Sequence, residues 1–353
     1  MSVKKIFFDV ASIIKLFIIL IFLISNSKGE ENNIKHYSSD KGIISLMYHR
    51  FNESKYPSTN IQINIFKEHI KIIKKLEYEF YNPAEFAKNF SIPKKNKKIL
   101  ITIDDAFSSF YESAWPFLKE NRIPFILFVS TEAVGKFGYM SWSQLKEIEK
   151  EDFAYIGNHS HTHDYLVDLS KEEFLKDIEN SKKIFISKLG YNPIFFSYPF
   201  GEYSNEITKH ISENFKYSFG QHSGVIDINK NKFELPRFPI NEKYGDLKRF
   251  KFLIKLQPLQ FKKIKPQERL LDKKNNPPNF SVEFFQNQKN IDKINCFSDE
   301  GNEWKKSNIN INNNVLKINF REKFLFRRGR INCSLNDDGI WRWFGIQFSI
   351  KTK

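Results

Sequence analysis

The chain has 353 residues, of which 41% are hydrophobic and 27% are charged, and its formal net charge is +15. This length and apolar content exclude a disordered protein and allow one large α/β domain with a smaller second domain. The positive charge is typical of proteins that bind an anionic polymer or an envelope surface. No compact block of Arg and Lys interleaved with aromatic residues occurs, so we expect no nucleic-acid partner.

The first 27 residues have the pattern of a secretory signal peptide. Two lysines precede an unbroken apolar run at residues 16–24, and small residues follow it. The run is shorter than the ~20 apolar residues of a membrane span, and Lys15 interrupts it on one side. We therefore predict cleavage after residues 1–27, no stable membrane span afterwards, and export to the periplasm, cell envelope or extracellular space. The alternative is a retained membrane anchor.

Four short apolar segments predict buried strands. They are residues 43–48, 99–103, 125–129 and 194–198. A polar segment at residues 28–42 precedes the first of them, and we interpret it as a tether.

Helices are predicted between these strands. Apolar residues recur at helical spacing over residues 66–73. Ser170 and Glu173 form a capping box that starts a further helix, which Gly190 ends. Strands that alternate with helices predict a mostly parallel sheet or a (β/α) barrel, in which chemistry lies at the carboxyl ends of the strands.

The pattern changes after about residue 270. Residues 275–279 are typical of a linker, and alternating apolar residues at 315–320 predict antiparallel strands. We therefore predict a main domain at residues 43–270 and a small β-rich C-terminal domain at residues 271–353.

The C-terminal region contains both cysteines of the chain, Cys296 and Cys333. In an exported protein they can form one disulfide, and the alternative is two buried free thiols.

A basic run at residues 327–330 either meets an anionic polymer or is a solvated face. Four aromatic residues either stack on sugar rings or form the core of the small domain. They are Trp304, Trp341, Trp343 and Phe344.

A first polar cluster, Asp104 and Asp105, follows the strand at residues 99–103 directly. Each carboxylate disfavours the ionisation of the other unless a cation lies beside them. A metal hydrolase can use one as a ligand and the other as a base. The alternative is an ordinary turn at a strand end.

A second cluster contains three histidines within five residues: His159, His161 and His163. On a helix, His159 and His163 would share one face; on an extended strand, all three would share a face and could make a three-histidine zinc site. Either geometry predicts that this segment binds a metal ion.

A third cluster, residues 197–202, begins at the end of the strand at residues 194–198. Pro199 and Gly201 favour a tight turn whose backbone N–H groups can face a cleft. The alternative is a turn without a functional role.

Together these clusters resemble the motifs of the NodB-type polysaccharide deacetylases, carbohydrate esterase family 4. Residues 102–106 are similar to the family's T-F-D-D-G, residues 159–163 match H-[ST]-x-x-H in full, and residues 197–200 are similar to R-x-P-Y. The resemblance covers roughly residues 43–240. It implies an α/β fold of the distorted (β/α) barrel type and one divalent metal ion, usually zinc.

The resemblance also implies a role for individual residues. Asp104 would be the general base, and His161 would be a bystander. The metal ligands would be Asp105, His159 and His163. The predicted oxyanion or substrate contacts are Phe200, through its backbone N–H, Tyr198 and His49.

Two departures from the family pattern affect the catalytic groups. The family's late Leu-x-His motif, which supplies the acid that protonates the leaving amine, is not evident, because no histidine follows His222. His222 and His49 are therefore both candidates for that acid. The third motif has Ser197 in place of arginine, and we predict that Arg237 takes over the orientation of Asp104.

The function implied is hydrolysis of N-acetyl groups on an N-acetylglucosamine-containing glycan. Peptidoglycan, chitooligosaccharides and poly-N-acetylglucosamine remain open as substrates. One alternative is a hydrolase of small non-sugar amides. The other is a catalytically inactive glycan-binding protein, which the missing late histidine motif favours.

Overall fold

A computed structural model describes residues 42–90 and 98–351 of the chain. Its first half is built on eight parallel strands in the order β10-β1-β5-β6-β7-β8-β9, with β4 beside the start of β5. The strands of this half are β1 (Ile43–Tyr48), β2 (Arg50–Phe51), β3 (Asn60–Ile61), β4 (Glu79–Phe80), β5 (Lys98–Ile103), β6 (Phe125–Val129), β7 (Ala154–Asn158), β8 (Phe195–Ser197), β9 (Tyr217–Phe219) and β10 (Phe238–Pro239). Strands β2 and β3 pair with each other.

The two edges of this sheet are connected by the segment that follows β9. Leu235 bridges in parallel to Phe219 of β9, and Phe238 pairs with Leu46 of β1. The parallel sheet therefore curves as in the distorted (β/α) barrel that was predicted, which confirms the fold class.

Seven α-helices accompany the strands among the described residues. They are α1 (Ile63–Lys75), α2 (Pro83–Asn89), α3 (Trp115–Glu120), α4 (Trp142–Glu149), α5 (Lys171–Leu189), α6 (Asn205–Asn214) and α7 (Leu247–Leu253). The predicted capping box of Ser170 and Glu173 is present at the start of α5, and Gly190 ends that helix with φ of +87°.

The barrel strands are buried on both faces, as expected for parallel strands covered by helices. In β6, Phe125, Leu127 and Val129 pack in the same cluster as residues of α1 and α3, whereas Ile126 and Phe128 pack in a second cluster with residues of other strands. The period of two places alternate residues on opposite faces. Because both faces of this strand are buried, its sequence is an unbroken apolar run.

The second half of the structure consists of a six-stranded and a four-stranded sheet. Its strands are β11 (Gln257–Pro258), β12 (Lys263–Lys265), β13 (Leu270–Leu271), β14 (Ser281–Glu283), β15 (Asn295–Ser298), β16 (Lys305–Lys306), β17 (Asn308–Asn312), β18 (Val315–Asn319), β19 (Arg328–Asp337) and β20 (Ile340–Ile350). Residues of both sheets, among them Leu316 and Phe348, share one apolar core. The expectation of a β-rich C-terminal region is confirmed.

The predicted domain boundary between residues 270 and 271 stays a prediction. Strand β11 already pairs with β20, and β12 pairs with β14. The predicted linker at residues 275–279 is also anchored, because the Asn276 side chain donates to the Phe324 carbonyl and accepts from the Phe324 N–H. The hydrogen-bonded β region therefore includes residues before 271.

The cysteines and aromatic residues of this region divide between core and surface. Cys296 and Cys333 are opposite each other on β15 and β19 and form a buried disulfide. Phe344 is part of the core. Trp304 and Trp341, in contrast, are 40% and 38% exposed to solvent.

Two predictions concern residues that the structure does not describe. The predicted signal peptide at residues 1–27 and nearly all of the tether at residues 28–42 lie outside the described residues. Among the described helices, none is both long enough and apolar enough to cross a membrane.

Candidate active site

Three potential metal ligands converge at the carboxyl ends of β5 and β7. Oδ1 of Asp105 lies 3.4 Å from Nε2 of His159 and 3.2 Å from Nε2 of His163. All three ligand atoms lie within 4.8 Å of one another, and no other group of this kind is found within residues 42–90 and 98–351. These are the three ligands that the resemblance implied, and the structure brings them together.

Two of these atoms indicate that the residues suit a cation. Asp105 Oδ1 and His159 Nε2 are buried and make no hydrogen bond within the described part of the chain. Buried polar atoms without a partner are rare in folded proteins, and a bound ion would satisfy both. Two imidazoles and one carboxylate are also a ligand set of catalytic zinc sites. The residues present therefore fit a divalent metal ion.

The orientation of His159 is fixed by the third motif. Its Nδ1 lies 2.7 Å from the carbonyl oxygen of Ser197, so that nitrogen donates and Nε2 keeps its lone pair for a ligand bond. Burial lowers the pKa of His159 to about 4, against the opposing effect of Asp104. The imidazole is therefore neutral at neutral pH, which is the form that binds metals.

The other two ligands influence each other. Burial alone would raise the pKa of the Asp105 carboxyl, but the close imidazole of His163 and those of His49 and His159 lower it well below its ordinary value. Burial would lower the pKa of His163, and Asp105 raises it above the ordinary value instead. The pair therefore favours an ionised carboxylate at the centre of the cluster.

The histidine segment is neither a helix nor an extended strand. Ser160 and His163 both have positive φ angles, +68° and +61°, and fold the chain back after β7. His161 lies outside the cluster, with its Nδ1 2.9 Å from Oγ1 of Thr131. The segment therefore adopts neither the helix nor the extended strand that the sequence analysis considered. The side chains of His159 and His163 nevertheless lie close together.

Asp177 of α5 organises this segment, and the sequence analysis missed it. Its carboxylate accepts hydrogen bonds from the backbone N–H groups of His161 and Thr162 and from the Thr162 hydroxyl, at 2.8–2.9 Å. The available signal was an aspartate on the apolar stripe of α5 between Phe174 and Ile178, where a carboxylate needs a partner to be buried.

Asp104 lies beside the cluster and is held by Arg237. The two side chains are fully buried and form a bidentate pair, with distances of 2.6 Å and 2.8 Å. Arg237 also donates to Ser197 Oγ at 2.8 Å and to Thr102 Oγ1 at 3.2 Å. Arg237 thus makes the contact with Asp104 that was predicted for it.

The environment of Asp104 keeps its carboxylate ionised. Burial alone would raise its pKa, but the guanidinium of Arg237 and the imidazoles of His159 and His49 lower it below the ordinary value. Its Oδ2 lies 3.9 Å from Nε2 of His159 and 4.0 Å from Nε2 of His49. The Oδ2 side of this carboxylate therefore faces His159 and His49.

A cavity of about 660 Å³ opens beside these groups. Five of the predicted site residues line it and so share one cleft: His49, Asp105, His163, Phe200 and His222. Phe200 has φ of +58° and its ring centroid lies 4.7 Å from that of His163. The turn of the third motif thus borders the metal-ligand cluster.

Two predicted site residues are placed differently from the expectation. Tyr198 is fully buried, and its hydroxyl donates to the Phe233 carbonyl, so its side chain does not contact the cleft. His222 borders the cleft but is 7% exposed; burial, with Arg269 and Arg237 nearby, lowers its pKa to about 3. A histidine with that pKa is neutral at neutral pH, which does not favour a cationic acid at His222, and the assignment of the acid to His222 stays a prediction.

The C-terminal β region fixes the turn of the third motif. Gln347 of β20 donates to the backbone carbonyls of Phe200 and Gly201. Arg327 donates from Nε to both carboxylate oxygens of the buried Glu202, at 3.1 Å and 3.0 Å. These contacts join segments more than 120 residues apart, so the local sequence contained no signal for them.

Comparison with known proteins identifies the domain. Residues 91–219 match the family model of polysaccharide deacetylases. This chain carries a polysaccharide deacetylase domain. The matched residues include the aspartate pair and all three potential metal ligands.

Curated relatives agree with this assignment. YxkH of Bacillus subtilis, whose name places it with the polysaccharide deacetylases, is 28% identical over 177 residues. The poly-beta-1,6-N-acetyl-D-glucosamine N-deacetylase of Staphylococcus aureus is 25% identical over 194 residues. Each alignment covers 50% of this chain, and 62% and 66% of the respective relative. The chain therefore spans less than two thirds of the length of these relatives.

Solved structures show the same fold. The Streptococcus pyogenes deacetylase PplD, in complex with acetate, superimposes with a TM-score of 0.53 at 23% identity, covering 57% of this chain and 94% of PplD. IcaB from Ammonifex degensii has a TM-score of 0.53 at 23% identity, covering 61% of this chain and 97% of IcaB. The deacetylase fold thus extends over more than half of the chain.

Proposed function

We propose that this chain is a metal-dependent hydrolase that removes acetyl groups from the N-acetylglucosamine units of a polysaccharide. The observation that carries the proposal is the convergence of Asp105, His159 and His163 beside the buried Asp104–Arg237 pair, with Asp105 and His163 lining one cleft. The family match and the Staphylococcus aureus relative support the substrate class.

In this proposal Asp105, His159 and His163 hold one divalent ion, and their chemistry suits zinc. Such an ion, when bound, would polarise an acetamide carbonyl and acidify water. A metal site with three protein ligands leaves room for such groups.

Asp104 is the proposed general base. Arg237 holds both of its oxygens, and its Oδ2 edge faces His159 and His49, so the carboxylate is ionised and fixed in orientation. It accepts the proton of the attacking water. Arg237 is the positioning residue for this base.

His49 is the proposed acid. Its Nε2 lies 4.0 Å from Asp104 Oδ2 on the cleft side, whereas His222 is buried and neutral. An amine is a poor leaving group unless it is protonated, and His49 can deliver that proton. The backbone N–H of Phe200, at the same cleft, is the proposed donor to the developing oxyanion.

We also propose that the protein is exported. The buried disulfide between Cys296 and Cys333 supports this location, because disulfides persist mainly in oxidising compartments. Cell fractionation with detection of the intact disulfide tests this part of the proposal.

The experiment that tests the proposed function combines metal analysis with acetate release. The purified protein is incubated with N-acetylglucosamine oligomers in β-1,4 and β-1,6 linkage, with glycan strands of peptidoglycan, and with a simple formamide. We expect one divalent ion per chain and acetate release from at least one glycan. Turnover of the formamide alone would indicate a small-amide hydrolase. Glycan binding without acetate release would indicate a non-catalytic binding protein.

A further inference from the structure

The cleft beside the metal-ligand cluster has a wall that belongs to the C-terminal β region. The cavity lined by Asp105 and His163 is also lined by Trp304, Arg328 and Arg330. Arg328 and Arg330 lie on β19, and Trp304 precedes β16. We call these three residues the arginine wall. The walls of this cleft therefore come from two different parts of the chain.

A buried carboxylate lies near each of the two arginines of this wall. Nε of Arg330 lies 2.6 Å from Asp299 Oδ2, and Nε of Arg328 lies 3.9 Å from Glu202 Oε1, too far for a hydrogen bond. Both carboxylates are buried, whereas each arginine side chain is 39% exposed. The acidic groups are thus withdrawn from the cleft, and part of each guanidinium remains exposed beside it.

The charged residues that line the cleft are mainly cationic. Asp105 is the only carboxylate residue among the described residues lining it, and its charge is directed to the metal-ligand cluster. Arg249 lines the same cavity and donates to the backbone carbonyl of Tyr244. Three arginines therefore face a cleft whose single acidic residue is already engaged, and this charge favours an anionic ligand.

Trp304 supplies a surface for a sugar ring next to these charges. It is 40% exposed, and Cζ of Arg330 lies 5.4 Å from its ring centroid. An exposed indole offers an apolar face for stacking, and the adjacent guanidinium offers N–H donors that match a carboxylate or phosphate. The wall therefore combines the two features needed to recognise a charged sugar.

We propose that the arginine wall binds an anionic group, a carboxylate or a phosphate, on the sugar next to the unit that is deacetylated. The inference rests on the proposed function and narrows its substrate class from N-acetylated glycans in general to anionic ones. In this arrangement Arg328 contacts the anionic group, and Arg330 places a second positive charge near that group. Trp304 stacks on the sugar ring.

The test compares pairs of substrates that differ in one anionic group. Peptide-free glycan strands that carry a lactyl carboxylate on alternate sugars are assayed against the same strands after methyl esterification. N-acetylglucosamine oligomers with and without a phosphate monoester form the second pair. We expect a KM about 10-fold lower for the charged member of a pair, the size expected for one charge-assisted hydrogen bond. The pair with the larger ratio identifies the source of the anion.

The matched variants are Arg328→Gln in the wall and Arg122→Gln outside it. Arg122 pairs with Asp152 at the surface, and both side chains are largely exposed. We expect Arg328→Gln to raise KM for the charged strand more than KM for the esterified strand, so that the preference for the charged strand is lost. Arg122→Gln should preserve the preference. In the wild type, raising the salt concentration should reduce the preference, because salt screens exposed charges.

Three results would overturn the inference. Equal KM values for charged and esterified strands, with acetate released from both, would overturn it and leave the proposed function intact. The same conclusion follows if Arg328→Gln changes both KM values by the same factor. No acetate release from any of the four substrates, by a protein that retains its metal, would overturn the proposed function and this inference with it.

Discussion

His161 lies within the histidine motif but not within the ligand cluster. Its ring contacts Thr131, whereas His159 and His163 approach Asp105 within 3.4 Å. We expect His159→Ala and His163→Ala to lose nearly all bound metal and His161→Ala to keep most of it. Elemental analysis of the purified variants measures this difference. Equal metal loss in all three variants would mean that a three-histidine site forms instead.

The two candidate acids differ in their access to the cleft. His49 borders it beside Asp104, and His222 is buried with its pKa lowered to about 3. We expect His49→Ala to lower kcat about 10²- to 10⁴-fold, the usual contribution of general acid–base catalysis, with metal content unchanged.

His222→Ala is the matched control for this experiment. Its kcat should change much less than that of His49→Ala at equal metal content. A larger loss of kcat in His222→Ala than in His49→Ala would assign the acid to His222 after all.

The sequence was informative about residues whose role depends on local spacing. Asp104, Asp105, His159 and His163 follow buried strands, and parallel strands bring such positions to one edge of the sheet. It could not distinguish His49 from His222, because the pKa of a histidine depends on burial and charges set by distant segments.

At the scale of elements, the turn after β8 depends on the C-terminal β region. Arg327 bonds to the buried Glu202 and to Asp168 at 2.7 Å. We expect Arg327→Ala to lower the free energy of unfolding by about 3–5 kcal/mol, because it leaves a buried carboxylate without a partner. Chemical denaturation measures this change.

A double variant separates the charge effect from lost packing. Glu202→Gln removes the buried charge, so the pair Glu202→Gln/Arg327→Ala should recover part of the stability lost in Arg327→Ala. A double variant that is destabilised by the sum of both single effects would show that the ion pair does not couple these elements.

Elements with local signals were predicted well, and elements that depend on distant pairing were not. Helix α5 begins at its capping box and ends at Gly190, as predicted. The segment at residues 257–271 carried no comparable signal, yet β11 and β13 within it pair with β20 at the end of the chain. Such short strands are specified by their partners rather than by their own residues.

At the scale of the whole molecule, buried histidines make stability dependent on pH. The pKa of His222 falls from 6.5 to about 3 on folding, because burial and two arginines disfavour its charged form. Between these pH values the unfolded chain binds a proton that the folded chain does not, so the free energy of unfolding decreases as pH falls. This contribution is fully present above pH 6.5.

Replacement of His222 isolates this contribution. Each pH unit below 6.5 corresponds to about 1.4 kcal/mol for one such group. We expect wild type to lose about 2 kcal/mol more than His222→Gln between pH 7 and pH 5, as measured by urea denaturation. The same pH dependence in both proteins would show that His222 titrates normally in the folded state.

The division of labour between the two adjacent carboxylates is the central claim of this account. In the proposed mechanism Asp104, which is paired with Arg237, acts as the base, whereas Asp105, which lies beside His159 and His163, binds the metal. The most direct test measures metal content and acetate release of Asp104→Asn and Asp105→Asn side by side. Asp104→Asn should retain one divalent ion per chain and lose nearly all activity, and Asp105→Asn should lose both. Equal metal loss in the two variants, or normal activity of Asp104→Asn with metal bound, would contradict the account.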